Sequence, residues 1–243
     1  MAKDRVVLIT NVEHFVGTPV AAELVAQGSI VVCHDASFYS EETAGAYVAA
    51  NPDFGVTRAQ TPADIIGDVT ATHGRIDVVI CNDAGAAVRA SIEAADPDDL
   101  RVALEEMVVF PFQMASAVVP QMKARKSGKI LFITSATPLR GLPNYSMYVA
   151  ARGATNALAV SLAQELGRDN IQVNAIAPNY VESPTYFPPE LVNNPETLAK
   201  MTRGIPLKRL GKPEEVAALV AFYASDQSDF ITGNVMPFAG GWA

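Results

Sequence analysis

Short apolar runs alternate with longer stretches of mixed residues along most of the chain. The apolar runs are mostly continuous, which is typical of parallel strands buried on both faces of a sheet. They predict strands at residues 6–10, 30–34, 55–58, 76–81, 129–134, 171–177 and 234–238. The stretches between them predict helices at residues 17–28, 40–50, 62–73, 98–125, 145–168 and 212–225.

Strands that alternate with helices in this way indicate βαβ units and a parallel sheet. Right-handed crossovers between these units favour the strand order 3-2-1-4-5-6-7. We predict that residues 1–243 form a single α/β domain of the Rossmann-like kind, built on a doubly wound sheet of seven parallel strands.

The most irregular region of the chain spans about residues 178–196 and is rich in proline. Prolines at this density exclude a long helix. The region follows a predicted strand, so it lies at the carboxyl edge of the sheet, where ligands bind in open α/β folds. We expect a structured loop over a binding site; a merely connecting loop is the alternative.

Composition narrows the class of protein. Apolar residues make up 49% of the chain and charged residues 18%, as in a globular domain. The net charge of −8 argues against a nucleic-acid partner. Two cysteines and three histidines without metal-ligand spacing predict no metal site.

The chain also lacks the sequence features of membrane and secreted proteins. No apolar run reaches the roughly 18–20 residues of a membrane span. Residues 1–5 lead straight into a strand and leave no room for a signal peptide. Cys33 and Cys81 lie inside apolar runs, which favours buried, reduced thiols. We therefore expect a cytoplasmic protein with no membrane contact.

The turn after the first predicted strand is where an open α/β sheet usually holds a dinucleotide on a glycine-rich loop. Here Asn11 and Phe15 stand where glycines are expected, and the Phe15 ring would fill the space that phosphate needs. Glu13 adds negative charge, while Gly17 allows the next helix to pack closely on the sheet. Asp35, after the second strand, is interpreted as a turn or cap residue. The residues of this turn therefore argue against a bound dinucleotide cofactor.

Ser135, Tyr148 and Arg152 form a candidate acid–base group. Ser135 ends a predicted strand, and Tyr148 and Arg152 are four residues apart, on one face of a predicted helix. A guanidinium favours the phenolate form of a neighbouring tyrosine, and a serine hydroxyl can hold a substrate oxygen. The spacing alone fits equally well with ordinary helix and strand-end residues.

Nearly the whole chain resembles the short-chain dehydrogenase/reductase superfamily. The resemblance rests on Ser135 with Tyr148 and on residues 82–85, 173–178, 207–215 and 232–241. The chain departs from that pattern at Asn11 and Phe15, at Arg152 in place of the catalytic lysine, and at Asn179 in place of a glycine.

These departures resemble the halohydrin dehalogenases, an offshoot that uses the fold without NAD(P)H. The matching segments are residues 10–15, 33–38, 82–83, 132–138, 148–152, 178–180 and 184–188. The resemblance implies that a vicinal halohydrin closes to an epoxide with release of halide and a proton, without cofactor. It also implies the reverse reaction, in which halide, azide, cyanide or nitrite opens an epoxide.

The resemblance also implies residue roles. Tyr148 would remove the hydroxyl proton, Arg152 would support the phenolate and relay the proton, and Ser135 would bind the substrate oxygen. Asp83 would pair with Arg152 and lead to solvent, or it would merely cap the next segment.

A halide site is implied next to this centre, formed by amides and aromatic edges. The amides of Tyr180 and Val181 are expected to face the anion, whereas Tyr186 is interpreted as loop packing. The whole predicted halide site is Phe15, Pro178, Asn179, Tyr180, Val181 and Phe187.

Substrate choice is assigned by position to Ala84, Ala86, Thr137 and Leu142, together with Asn179. Relatives pair the helices at residues 98–125 and 145–168 across subunits, which implies a homotetramer. Two other functions remain open. One is an NAD(P)-dependent short-chain oxidoreductase with a degenerate glycine turn, and the other is a catalytically inactive binding protein.

Overall fold

The computed structural model describes residues 4–183, 186–187 and 189–243. Its sheet has seven parallel strands in the order β3-β2-β1-β4-β5-β6-β7, which confirms the predicted fold class and strand order. All seven predicted strands match within two residues at each end because buried parallel strands are continuous apolar runs. The strands are β1 Val6–Thr10, β2 Ile30–His34, β3 Gly55–Thr57, β4 Val78–Cys81, β5 Gly128–Ile133, β6 Ile171–Pro178 and β7 Val235–Phe238.

Helices connect the strands and cover both faces of the sheet. Those on one face, α1, α2 and α10, pack in one core cluster; α3, α5 and α7 pack in the other. The helices are α1 Gly17–Ala26, α2 Glu41–Ala50, α3 Pro62–His73, α4 Pro97–Leu104, α5 Phe110–Arg125, α6 Thr137–Arg140, α7 Ser146–Leu166, α8 Pro189–Val192, α9 Pro195–Thr202 and α10 Pro213–Ala224.

The helix predicted over residues 98–125 is interrupted by a π-helical turn, Glu105–Val109, between α4 and α5. A π turn displaces backbone carbonyls from the regular ladder. The Oγ1 of Thr155 donates to the Met107 carbonyl at 2.5 Å. This bond joins the turn to α7, the helix that carries Tyr148 and Arg152.

The helical run Pro97–Arg125 also corrects an expectation about membranes. One 18-residue window has a mean hydropathy of 1.5, so the run is long and apolar enough to span a membrane by length and composition. The run meets this criterion although no single apolar stretch is long enough, because the scattered polar residues that interrupt it lower the mean hydropathy only slightly. Core helices pass the same test, and Met114, Val118 and Met122 of this run are fully buried on the sheet.

The region predicted as a loop, residues 178–196, contains α8 and the start of α9. Each of these helices begins at a proline, a residue that suits the first helical position. The prolines thus exclude a long helix but start two short ones. Part of the predicted loop motif, Pro184, Thr185 and Pro188, lies outside the described residues, as do residues 1–3.

Candidate active site

One cavity of about 1390 Å³ opens at the carboxyl edge of the sheet. It collects most of the site residues predicted from sequence. Arg152 and Asp83 are buried behind its wall. The predicted residues that line it are Phe15, Ala84, Ala86, Ser135, Thr137, Leu142, Tyr148, Pro178, Asn179, Tyr180, Val181 and Phe187.

Ser135 follows β5 and is held from both its side chain and its backbone. Its Oγ lies 3.0 Å from the Thr137 Oγ1 and accepts the Thr137 amide at 3.1 Å. The Asn156 Nδ2 donates to the Ser135 carbonyl at 3.2 Å. Because Asn156 lies one turn beyond Arg152 on α7, the same helix that carries the tyrosine also fixes the serine.

Tyr148 and Arg152 lie on the buried face of α7, as their spacing predicts. The Arg152 guanidinium carbon is 5.4 Å from the centre of the Tyr148 ring. Its Nη1 donates to the carbonyls of Asp83 at 2.8 Å and Ile133 at 3.2 Å. Burial lowers the pKa of Arg152, but Tyr148 and Tyr186 outweigh this effect and raise the pKa overall, so the guanidinium stays charged.

Asp83 contacts Arg152 through its backbone carbonyl rather than through its carboxylate. Its carbonyl accepts from the guanidinium, while its carboxylate accepts from the Thr10 Oγ1 at 2.9 Å and the Asn11 Nδ2 at 2.5 Å. Burial raises the pKa of the Asp83 carboxyl to about 7, against the Thr10 hydrogen bond and the Arg152 charge. The capping alternative is wrong, because the next helix begins at Pro97 with another residue as its cap.

Several backbone amides of the turn after β1 donate hydrogen bonds to acceptors within the protein. The amide of Val12 donates to the carbonyl of His34, at 3.1 Å, and that of Gly17 to the carbonyl of His14, at 3.0 Å. The Glu13 amide donates to the Asp35 carboxylate at 3.1 Å, which confirms Asp35 as a turn residue. Pyrophosphate binding needs such amides to point at the ligand. The turn therefore does not fit a dinucleotide.

Two side chains add to this misfit. Phe15 has a left-handed backbone with a φ of 48° and lines the cavity. The Glu13 carboxylate accepts a hydrogen bond from Ser37 beside Asp35, which places two acids at this end of the turn. Gly17 behaves as predicted, since a Cβ there would lie 2.3 Å from the Val12 carbonyl oxygen.

The turn after β6 is arranged differently. Tyr180 has a φ of 56°, and its amide donates to the Asn179 Oδ1 at 3.0 Å instead of facing the cavity without a partner. Val181 forms a parallel bridge with Gly211. Among the described residues no acceptor receives the Val181 amide. Of the two amides expected to face the anion, that of Tyr180 is therefore bonded to Asn179, and that of Val181 stays a prediction.

Sequence reasoning missed Tyr186. Its hydroxyl donates to the Gly85 carbonyl at 3.0 Å and accepts from the Arg152 Nη2 at 3.4 Å. Its ring lies edge-on to Phe15 at 5.5 Å and to Tyr148 at 6.3 Å. Burial raises the pKa of Tyr186 to about 12, although Arg152 opposes this, so it remains a phenol. A loop position gives no periodic signal that could have predicted these contacts.

Comparison with known proteins places the chain in a superfamily of oxidoreductases. A family model described as enoyl-(acyl carrier protein) reductase matches residues 13–243. The 3-oxoacyl-[acyl-carrier-protein] reductase FabG of Thermotoga maritima is 30% identical, over 98% of this chain and 97% of that protein. These matches establish the short-chain dehydrogenase/reductase superfamily.

Solved structures narrow the assignment. A structure titled "Dehalogenation enzyme" has 49% identity and a TM-score of 0.97, with 99% of each chain covered. Halohydrin dehalogenase (HheC) bound to ethyl (2S)-oxiran-2-ylacetate has 39% identity and a TM-score of 0.94, covering 97% of this chain and 96% of that one. The departures from the oxidoreductase pattern at Phe15 and Arg152 both lie at this site, since Phe15 lines the cavity and Arg152 is buried against Tyr148. The chain therefore belongs to the halohydrin dehalogenases within the short-chain dehydrogenase/reductase superfamily.

Proposed function

We propose that this protein is a carbon–halide lyase that converts vicinal halohydrins to epoxides, halide and a proton without a nicotinamide cofactor. One observation carries the proposal. Ser135 and Tyr148 open onto a single cavity with Arg152 behind them, whereas four amides of the turn that would hold a dinucleotide donate to protein acceptors. The two similar dehalogenase structures support the same reaction class.

The first step is removal of the substrate's hydroxyl proton. Ser135 donates a hydrogen bond to the substrate oxygen, and the Thr137 hydroxyl at 3.0 Å orients the serine. Tyr148 takes the proton as the base, and the nearby Arg152 charge stabilises the phenolate. Tyr186 does not compete as the base, because its own proton is committed to the Gly85 carbonyl.

The second step is an intramolecular displacement. The oxygen electron pair forms a bond to the neighbouring carbon as the carbon–halogen electron pair leaves with the halide. Back-side geometry is required, so the cavity must hold one conformer, and holding it can supply much of the rate. The balance is one C–O bond formed, one C–halogen bond broken and one proton released.

The proton then has to leave Tyr148. Arg152 cannot act as a free base, because a guanidinium keeps its proton up to about pH 12 or higher. It serves instead as a fixed charge that connects Tyr148 to the backbone of Asp83. Asp83 is proposed as the next group in the relay, because its carbonyl accepts from Arg152 and burial raises the pKa of its carboxyl to about 7, close to neutral pH.

The halide is proposed to bind beside the turn after β6. The Val181 amide and the edges of the Phe15 and Phe187 rings supply partial positive charge, and Pro178 shields the anion from water. Azide, cyanide and nitrite fit the same requirements. They are proposed to open epoxides in the reverse direction, since ring opening is the microscopic reverse of closure.

Small side chains surround the place of the substrate's substituent. Ala84, Ala86 and Leu142 all line the cavity. Thr137 serves two purposes there, since it both holds Ser135 and lines the wall. We assign substrate selection to these residues together with Asn179.

Assembly as a homotetramer is proposed from exposed apolar side chains on two helical segments. Val102 and Phe112 of the run Pro97–Arg125 are 54% and 50% exposed, and Val160 of α7 is 41% exposed. Apolar residues of this size on adjacent helices favour burial against another subunit. Sedimentation velocity with Phe112→Glu tests this, and a smaller species than the parent protein is expected.

The activity itself is tested by halide release from 1-bromo-2-propanol in the absence of any cofactor. We expect release above the buffer rate, and a loss of 10²- to 10⁴-fold for Tyr148→Phe, because general base catalysis contributes about that much. Tyr223→Phe is the matched control. It removes a tyrosine hydroxyl that bonds to Asn234, directly before β7, and Tyr223 does not line the cavity. No release by the parent protein would contradict the proposal.

The oxidoreductase alternative is favoured by the matches to reductases. Calorimetric titration with NADH and NADPH separates the two functions. We expect no binding because four amides of the first turn are occupied by protein acceptors and the Phe15 ring lines the cavity where the cofactor would lie. Saturable binding together with no halide release would support the oxidoreductase.

A further inference from the structure

The cavity is larger than the proposed reaction requires. Its volume of about 1390 Å³ exceeds the roughly 300–1,000 Å³ of pockets that hold drug-sized ligands. A three-carbon halohydrin occupies a small part of this space. The cavity wall continues to β2 and the start of α5, where His34, Ala36, Tyr39 and Phe110 lie; we refer to these four residues as the His34 lobe.

His34 is an unsatisfied polar group within this lobe. The side chain is 1% exposed, and neither ring nitrogen has a hydrogen-bond partner among the described residues. Burial lowers the pKa of His34 to about 4, although Asp35 opposes this, so the ring is neutral and has one donor and one acceptor. Leaving such buried groups without hydrogen bonds destabilises the folded protein, and a ligand that supplies the bonds removes this cost.

The rest of the lobe is aromatic. The His34 ring is stacked on Phe110, with centres 6.0 Å apart and planes 22° apart, and Tyr39 lies 6.1 Å away at a tilt. Tyr39 is 37% exposed, and in the described part of the chain its hydroxyl has one polar contact, 3.4 Å from the Gln60 carbonyl. A ligand that reaches the buried His34 nitrogens requires a neighbouring ring to move, and Tyr39, with this one long polar contact, is the ring we propose to turn aside.

The distance from the lobe to the reacting centre follows from the sheet. His34 ends β2 and Ser135 follows β5, and the order β2-β1-β4-β5 separates them by three strand spacings. At about 4.8 Å each, this is about 14 Å. An extended chain of roughly ten atoms spans that length.

We propose that the His34 lobe is a second subsite that binds a neutral, planar aromatic end group bearing an amide or ester. The proposal rests on the proposed function. It assigns the enzyme to halohydrins and epoxides with a long substituent ending in an aryl amide or ester. The reacting carbons lie at Ser135 and Tyr148, and the end group makes its hydrogen bond to His34.

Three bromohydrins test the proposal: 1-bromo-2-propanol, a long bromohydrin with roughly ten atoms leading to a benzamide, and its counterpart ending in phenyl. We expect the benzamide compound to have a KM at least tenfold below that of the phenyl compound. His34→Phe keeps the aromatic packing and removes the nitrogens, so it should abolish this tenfold difference. It should change kcat/KM for 1-bromo-2-propanol by less than twofold. His73→Phe, on α3, is the matched control.

Binding is also measured without turnover, so that failure of the activity and failure of the subsite can be distinguished. The benzamide compound is titrated into Tyr148→Phe by calorimetry, and the His34 ring nitrogens are followed by ¹⁵N NMR. Saturable binding that shifts the His34 signals, with no shift from the phenyl compound, supports the subsite even if no halide is released. Equal KM values for the two long compounds, a preference that survives His34→Phe, or unmoved His34 signals at saturation would overturn it.

Discussion

The turns after β1 and β6 occupy equivalent places at the carboxyl edge of the sheet but differ in what their amides do. Both contain non-glycine residues in the left-handed region, Asn11 and Phe15 in one turn and Tyr180 in the other. Both line the cavity. Four amides of the first turn donate to protein acceptors, whereas the turn after β6 leaves the Val181 amide without an acceptor among the described residues.

The comparison shows that anion binding depends on the bonding of individual amides rather than on the position of a turn in the fold. In a Rossmann-like sheet the first turn is the usual anion site, because its amides point at phosphate. Here Asp35 and neighbouring carbonyls take them. The proposed anion site is accordingly the turn after β6, which is followed by the four-residue helix α8 rather than by a helix as long as α1.

The largest expected effect concerns Asp83, which fixes the first turn through Thr10 and Asn11. Burial raises its carboxyl pKa from 3.8 to about 7. The folded protein therefore keeps a proton between about pH 4 and 7 that the unfolded chain loses. Stability from this proton is complete below about pH 4 and declines as the pH rises to 7. The decline is at most about 4 kcal/mol.

Urea unfolding of the parent protein and Asp83→Asn between pH 4 and 8 measures this effect. The asparagine does not titrate, so the free energy of unfolding of the parent protein should fall relative to that of the variant up to about pH 7 and then level off. The opposite slope would mean that Arg152 and the Thr10 hydrogen bond dominate and lower the pKa instead.

A smaller effect is expected at Gly17, where the first turn meets α1. A Cβ there would lie 2.3 Å from the Val12 carbonyl oxygen, which is backbone and cannot rotate away. Gly17→Ala should therefore lower the free energy of unfolding by about 3 kcal/mol, as overpacking does. Gly67→Ala on α3 is the control, because a Cβ there has no atom within 4 Å. It should raise stability by up to about 1 kcal/mol. Equal effects of the two substitutions would contradict the close packing.

The sequence predicted the parts of this comparison that depend on periodicity. Buried strands are continuous apolar runs, so the strand ends that carry Ser135 and Pro178 could be placed. Helical spacing placed Tyr148 and Arg152 on one face. Steric reasoning about Phe15 identified the altered first turn.

The parts that escaped prediction depend on contacts between distant segments. Tyr186 reaches Gly85 and Arg152, both more than 30 positions away along the chain. The π turn depends on Thr155, which is distant in sequence from Met107. Such bonds leave no periodic pattern. The contact between Asp83 and Arg152 is predicted for the carboxylate but is made by the backbone carbonyl. Sequence alone does not distinguish the two kinds of contact.

The third prediction tests whether restoring a glycine restores the cofactor site. Phe15→Gly should lower kcat/KM for bromide release about 100-fold, or about 2.7 kcal/mol, because water enters the proposed halide site. It should still bind no NADH, since the amides of Val12 and Gly17 remain bonded to protein. Asn170→Gly, at a φ of 57° away from the cavity, relieves the same kind of backbone strain and should leave turnover unchanged. NADH binding by Phe15→Gly would mean that the ring alone excluded the cofactor.

The smallest expected effect is at Asn179, whose Oδ1 takes the Tyr180 amide. Asn179→Ala removes that acceptor and leaves two neighbouring amides, of Tyr180 and Val181, for the anion. A hydrogen bond to a charged group contributes about 1.5 kcal/mol, so the inhibition constant of bromide should fall about tenfold. Asn179→Asp keeps an acceptor in place and adds negative charge, so it should weaken bromide inhibition. An unchanged inhibition constant in Asn179→Ala would show that the Tyr180 amide points away from the anion, and the second turn would then differ from the first by a single amide.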